Sequence, residues 1–233
     1  MKTFADKVIA FNKQLKYKGA LPEGIKVLNP FRENPEILKV SSAFYKKFYS
    51  DQEKRKLILG INPGRLGAGA TGIPFTDTKR LSEICGLHID NFHTHEPSSV
   101  FIYDLIDRFG GAASFYNEFY INSVSPLGFV QKNKRDNWVN CNYYDHKSLL
   151  IALKDFIISS LKKQLDFGID TSICFVLGKK NAKYLEEINK KETFFDSVVA
   201  LDHPRYIVQY KSKEMNKYLD EYSDVLSQKL PGA

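Results

Sequence analysis

The sequence predicts an α/β protein, a three-layer α/β/α sandwich around a central, mostly parallel four-stranded sheet. Short apolar runs alternate along the chain with longer stretches of helical periodicity, the pattern of successive β-α units. Each apolar run ends in turn chemistry, such as Asn62-Pro63-Gly64, Pro126 with Gly128, and Asp202-His203-Pro204. Right-handed crossovers between parallel strands then place helices on both faces of the sheet. Composition does not shift along the 233 residues, so one domain is expected over 1–233.

In chain order, residues 3–16 and 34–49 have helical spacing, with Phe4, Val8, Ile9 and Phe11 on one stripe and Ile37, Leu38, Phe44 and Phe48 on the other. The run from Lys56 to Ile61 reads as a buried strand stopped by Asn62-Pro63-Gly64. A Gly-rich loop, Gly64 to Gly72, leads to short helices over Thr76–Ile84 and Ser98–Phe109, the latter stopped by Gly110-Gly111. Phe119 to Val124 reads as the second strand and Gln131 to Asn142 as a polar loop. Asp145 to Leu165 carries the strongest helical stripe, from Leu149 through Leu153, Ile157 and Leu161. Ser172–Leu177 and Ser197–Leu201 complete the strands, with helices over Lys179–Ile188 and Ser212–Leu226.

Composition excludes several classes. A hydrophobic share of 43% and a charged share of 26% rule out disordered and fibrous chains. No stretch reaches the roughly 18–20 apolar residues of a membrane helix, and charges interrupt the N-terminal apolar residues, so no signal peptide is read and a cytosolic location is expected. Cys85, Cys141 and Cys174 form no CxxC pairs and read as reduced, buried thiols. The net charge of +7 suits a polyanionic partner without requiring one.

In open parallel sheets ligands gather beyond the carboxyl ends of the strands. Three polar segments lie there: Asn62 with its loop, Asn122 with Ser123, and His203. The motifs that carry them are GINPGRLGAGATGIPF (Gly60 to Phe75), FYINSVSPLGFV (Phe119 to Val130) and LDHPR (Leu201 to Arg205). Together, and in this order, they resemble the single-strand-selective monofunctional uracil-DNA glycosylases, the SMUG family, with its GMNPG-type turn, its TGxPF segment and its HPS-type turn. The resemblance runs from about Asn29 to the final helix. Arg65 and Leu66 after the first turn, and Arg205 and Tyr206 after His-Pro, depart from the vertebrate pattern toward a bacterial SMUG-like branch.

The resemblance implies a monofunctional DNA glycosylase that flips a deaminated base, uracil and also hypoxanthine or xanthine, out of DNA and hydrolyses its N-glycosidic bond in base excision repair. Asn62 matches the water-positioning residue, and an amide holds a water without being a strong base. His203 matches the histidine that donates to uracil O2 as charge develops there. Asn122 matches the asparagine that reads N3–H and O4, and Phe75 the aromatic that stacks on the base. Ile61 and Gly64 would complete the base pocket, with Gly67 and Gly69 letting backbone amides come close. Arg205, Tyr206, Lys211 and Lys213 lie where the family carries its wedge and phosphate contacts. No metal or cofactor is implied; the partner is DNA containing a deaminated base, and a monomer is expected.

Other readings carry less. GAGATG (Gly67 to Gly72) satisfies GxGxxG, but it starts about six residues past its strand and meets Ile73-Pro74 where a cofactor-binding helix should continue. His88, His93 and His95 lack metal-site spacing. The lysines from Lys179 to Lys191 read as a solvated helix face. Asn62 serves equally as turn chemistry, His203 as a buried histidine, Asn122 as a backbone cap and Phe75 as core; their company favours the glycosylase. Ser123 and Ser125 either assist Asn122 or turn the chain. The motifs hold no lysine to act as a lyase nucleophile, and three ill-spaced cysteines do not match an iron–sulfur branch. The main alternative is a non-catalytic nucleic-acid-binding module on the same fold, which would bind DNA without releasing a base. A dinucleotide-dependent oxidoreductase is a distant third.

Overall fold

The computed structural model describes residues 1–227, so the last positions of the expected 1–233 domain lie outside the described residues. The chain runs α1 (Phe4–Gln14), β1 (Ile25–Leu28), α2 (Pro30–Glu33), α3 (Pro35–Phe48), β2 (Arg55–Gly60), α4 (Ala68–Thr71), α5 (Thr78–Glu83), α6 (Pro97–Arg108), α7 (Ala112–Glu118) and β3 (Phe119–Ser123). It continues through β4 (Gly128–Lys132), β5 (Trp138–Cys141), α8 (Lys147–Leu165), β6 (Ile169–Leu177), α9 (Lys179–Glu192), β7 (Ser197–Leu201), α10 (Pro204–Tyr210) and α11 (Met215–Leu226), with a 3-10 turn at Ser212–Glu214.

The central sheet has four parallel strands in the order β3-β2-β6-β7. Helix α7 packs against β2 and β3, and α8 and α9 against β6 and its neighbour, giving the expected three-layer arrangement. Leu57 to Gly60 is buried throughout, as expected for a strand covered on both faces. Among the described residues no helix is long and apolar enough to cross a membrane.

A second, antiparallel sheet, β1-β4-β5, departs from the sequence expectation. Most of the polar loop expected over Gln131–Asn142 is the turn and returning strand of a hairpin. Its strands are too short, and β5 too exposed, for alternation to rise above the surrounding charges. Asn133 builds the turn by accepting from the backbone N–H groups of Arg135 and Asn137. Gly128 lets this sheet dock: a Cβ there would lie 2.4 Å from the carbonyl oxygen of Pro63. Helix α10 was also unforeseen, because His203-Pro204 reads equally as a turn or as a helix start.

Polar anchors hold the two ends of the central sheet. At the amino end Arg55 is fully buried beneath the rings of Phe4 and Tyr49, 5.1 and 5.2 Å from its guanidinium carbon. Its guanidinium forks onto the carboxylate of Asp51 and donates to the carbonyls of Glu53 (2.8 Å) and Tyr116 (3.3 Å). That pairing holds the Asp51 carboxyl below its usual range. At the carboxyl end Asn181, fully buried in the first turn of α9, donates to the carbonyls of Gly60 (3.1 Å), Leu177 (3.3 Å) and Leu59 (3.4 Å). It thereby bridges β2 and β6 where the strand order reverses direction.

Arg55→Ala is expected to destabilise by about 3 kcal/mol, because it strands buried carbonyls and leaves Asp51 without its partner. Asn181→Ala should cost about 2 kcal/mol for the carbonyls it abandons. Urea denaturation checks both: the midpoint should fall with little change in the slope.

Candidate active site

A polar cleft of about 160 Å³ opens beyond the carboxyl ends of β2, β3 and β7. Asn62, Phe75, Glu96, Ser123, His203 and Arg205 line it, with Ile61 and Gly64 on the same wall. The β2 strand delivers Asn62 two residues past its last paired position, Gly60. The carbonyl oxygen of the Asn62 side chain accepts the backbone N–H of Tyr143 at 2.9 Å. Its nitrogen donates to the carbonyls of Pro63 and Cys141, each at 3.3 Å. A donor on one side and carbonyls on the other leave one amide orientation possible. The Tyr143 hydroxyl in turn donates to Asn181 at 2.9 Å, so the anchor at the strand-order reversal also sets the pose of Asn62. One lone pair of the Asn62 oxygen stays free to hold a water.

His203 caps the first turn of α10. Its Nδ1 accepts the backbone N–H of Arg205 at 3.1 Å, so in the neutral ring the proton sits on Nε2. Burial first, and the Arg205 charge second, push its pKa down to about 4. The ring is therefore neutral at physiological pH. Nε2 has no hydrogen-bond partner among the described residues and is a donor available to a ligand. Phe75 lies 5.9 Å from the His203 ring centroid and is 8% exposed. Its φ of 53° is a left-handed backbone that a bulky side chain rarely adopts. Gly60 permits the approach, since a Cβ there would stand 3.1 Å from the Phe75 ring.

Several sequence expectations need correction. Asn122 is not in the cleft. Its nitrogen donates to the Tyr120 hydroxyl and its oxygen accepts the Ser123 N–H, both at 2.8 Å, beside a separate cavity of about 20 Å³ behind Pro63 and Ala68. Side chains alternate across a strand, so Ser123, the next residue, takes the position facing the cleft. Its hydroxyl has no partner among the described residues. Ser125 only turns the chain, donating to the Leu127 carbonyl at 3.0 Å. The amides of Gly67 and Gly69 point inward onto the carbonyl of Gly64 and are not offered to a ligand.

Arg205 and Tyr206 sit on α10 rather than on a loop. Arg205 lines the cleft, while Tyr206 and Tyr210 stand exposed beside it with ring centroids 5.7 Å apart. Lys211 is held by Glu214 at 2.9 Å, and Lys213 is exposed in the 3-10 turn. Of the four residues expected to contact DNA, Arg205 alone reaches the cleft lining among the described residues.

Glu96, Asp77 and Asn140 escaped the sequence reading. Asp77 is fully buried. It accepts from the backbone N–H groups of Arg80 and Glu96 (both 2.9 Å) and from the Ser99 hydroxyl (2.8 Å). Burial works to raise its pKa, yet these hydrogen bonds and the Arg80 charge hold it below the usual carboxylate range. Asp77 thereby pins the start of α6 and, with it, Glu96. Asn140 enters from β5 and accepts the backbone N–H of Arg65 at 3.1 Å. The local signal was Asp77 preceding a helix; nothing local says that Glu96 or Asn140 meets Asn62. Of the histidines set aside as metal ligands, His88 contacts Ser82 (3.0 Å) and His95 contacts Asp77 (3.5 Å).

The family described as the Uracil DNA glycosylase superfamily matches residues 46–227. The crystal structure of wild-type SMUG2 from Pedobacter heparinus is similar over 97% of each chain, with 51% sequence identity and a TM-score of 0.94. No curated protein sequence matches the chain. A parallel sheet that ends in a polar cleft, with Asn62 and a neutral His203 beside Phe75, thus coincides with a near-complete match in sequence and fold: the chain belongs to the uracil-DNA glycosylase superfamily, as a SMUG-like DNA glycosylase that hydrolyses N-glycosyl bonds.

Proposed function

We propose that this glycosylase releases uracil, and also the deaminated purines hypoxanthine and xanthine, from DNA as the first step of base excision repair. The observation that carries the reading is the neutral His203, whose Nε2–H is free in the same cleft as the locked Asn62 amide. The flipped base lies against Phe75, His203 donates to O2 as negative charge gathers on the leaving base, and Asn62 holds the water near C1′. Fixed donors of this kind need no reorganisation as charge develops.

Ser123 supports the wider base range. An asparagine amide presents one donor and one acceptor in fixed places, whereas a hydroxyl rotates and serves as either. A serine at the base edge therefore tolerates the different edges of uracil and a deaminated purine. Arg205, Lys211 and Lys213 supply phosphate contacts, and the exposed pair Tyr206 and Tyr210 supplies the apolar surface that fills the gap left by the flipped base. Among the described residues no lysine lines the cleft, which supports an abasic product without strand cleavage.

Base release from oligonucleotides with a single uracil, hypoxanthine or xanthine tests the reading. Wild type should release all three; His203→Ala should lose about 100-fold or more in single-turnover rate, and Asn62→Ala should also be strongly impaired. Ser123→Asn should narrow the range toward uracil. Release confined to uracil in wild type would remove the purine reading, and no release at all would remove the whole.

The His203 ring should carry one proton, on Nε2, at about pH 6 and above. Nitrogen NMR of the ring checks it, and an imidazolium at that pH would contradict the assignment. Because the folded pKa lies below the usual 6.5, the unfolded chain binds the extra proton first. Stability from this group is present above about 6.5 and is lost as pH falls toward about 4.

A further inference from the structure

Hydrolysis leaves one task that Asn62 cannot perform, since an amide positions water but does not take its proton. The water must lose a proton as its oxygen bonds to C1′. Glu96 lines the same cleft as Asn62. Its Oε2 is sealed from solvent with no hydrogen-bond partner, pressed against Gly67, where a Cβ would lie 2.0 Å from it. Its Oε1 makes no hydrogen bond among the described residues and lies 4.0 Å from the Cβ position of Gly64, on the wall occupied by Asn140. A buried carboxylate oxygen without a partner is costly and rare in folded proteins. The surrounding structure nevertheless enforces it: Asp77 grips the Glu96 N–H, and Pro97 opens α6 immediately after.

We propose that Glu96 is a further catalytic residue, the general base that takes the proton of the water held by Asn62. The water oxygen bonds to C1′ as the bond from C1′ to the base nitrogen breaks. The electron pair leaves with the base, stabilised by the His203 Nε2–H. The water proton passes to Glu96 and afterwards returns to the departed base, so the enzyme emerges unchanged. The proposal rests on the roles given above to Asn62 and His203.

The electrostatics fit a base that works near neutrality. Burial first, and the Asp77 carboxylate second, push the Glu96 pKa up to about 7, against the lowering effect of Arg205. The charged and titratable groups around it are Asp77 before α5, Arg80 on α5, the adjacent His95, and Arg205 and the neutral His203 at the start of α10. Asp77 remains ionised throughout, because its hydrogen bonds hold its pKa low. Of the two buried carboxyls at this end of the cleft, Glu96 is therefore the one that exchanges its proton near pH 7. Ionising it above that pH costs folding stability, since the unfolded carboxyl loses its proton near 4.5.

The test is kcat/KM on a uracil oligonucleotide from about pH 5 to 9 for wild type, Glu96→Gln, Glu96→Asp and His203→Ala, with melting curves of each protein. Wild type should gain activity as pH rises through about 7. Glu96→Gln should fall about 100-fold at pH 8 and lose that rising limb, while Glu96→Asp recovers part of the rate and keeps the limb. Affinity for an oligonucleotide with a non-hydrolysable 2′-fluoro-uridine should stay within about threefold of wild type in Glu96→Gln. Glu96→Gln should melt higher than wild type at pH 8, with the gain vanishing near pH 5. A wild-type rate and limb in Glu96→Gln, beside a crippled His203→Ala, would overturn the base and leave the glycosylase reading standing. A uniform loss that retains the limb would also overturn it, and no release by wild type would overturn both.

Discussion

The side-chain amide of Asn181 occupies the place on which the rest of this molecule depends. Where the parallel sheet reverses its strand order, the pairing of β2 with β6 stops at Leu59 and Val176, and the carbonyls of Gly60 and Leu177 lie just beyond it. Asn181 satisfies those carbonyls from the first turn of α9, and its oxygen takes the Tyr143 hydroxyl. Tyr143 passes the constraint to Asn62 through its backbone N–H. Fold and cleft thus share one buried network: the contacts that close the sheet also remove the rotational freedom of the Asn62 amide. A preorganised group of this kind avoids reorganisation in the transition state.

Around that network the cleft accepts local costs. Phe75 holds a left-handed backbone, Glu96 keeps a carboxylate oxygen without a partner, and partial burial beside Arg205 holds the His203 ring neutral. Strain and unpaired polar groups persist only where the surroundings over-determine them. Here the surroundings are the hydrogen bonds of Asp77, the packing of Phe75 on Gly60, and α10, anchored by the fully buried Ile207. At the opposite end of the sheet the buried charge of Arg55 is matched. Arg55 there finds a carboxylate, two carbonyls and two aromatic faces, and the aromatic cluster of Phe4, Phe44, Tyr49, Tyr116 and Tyr120 fills the space around it. One end of the sheet is built for stability and the other for chemistry.

The parallel sheet and its helices were legible in the sequence, because long apolar strands and helical stripes such as Leu149 to Leu161 announce themselves through periodicity. Strand-end turns likewise marked Asn62 and His203, whose places in the cleft depend on backbone position as much as on residue type. The hairpin β4–β5 was not legible. Its strands are short and charged, and they gain stability by docking Gly128 onto the Pro63 turn, a contact between distant segments. Asn122 was misplaced for a related reason. A motif names a residue, but a strand alternates its faces, and whether Asn122 or Ser123 meets the cleft depends on the register of β3 against β2.

By itself the sequence determined the layer architecture, the order of the strands along the chain, and the residue types that reach the carboxyl end of the sheet. These follow from local forces: burial periodicity, turn chemistry and capping, each acting within a few residues. Only the tertiary structure decided which side chains face one another. The hydrogen bond that sets the tautomer of His203, the long-range partners that orient Asn62, the arrival of Glu96 from the start of α6 and the exclusion of Asn122 all depend on how separate segments pack. Electrostatics and solvent exclusion act through space, and the neighbours that set them are chosen by packing rather than by position in the chain.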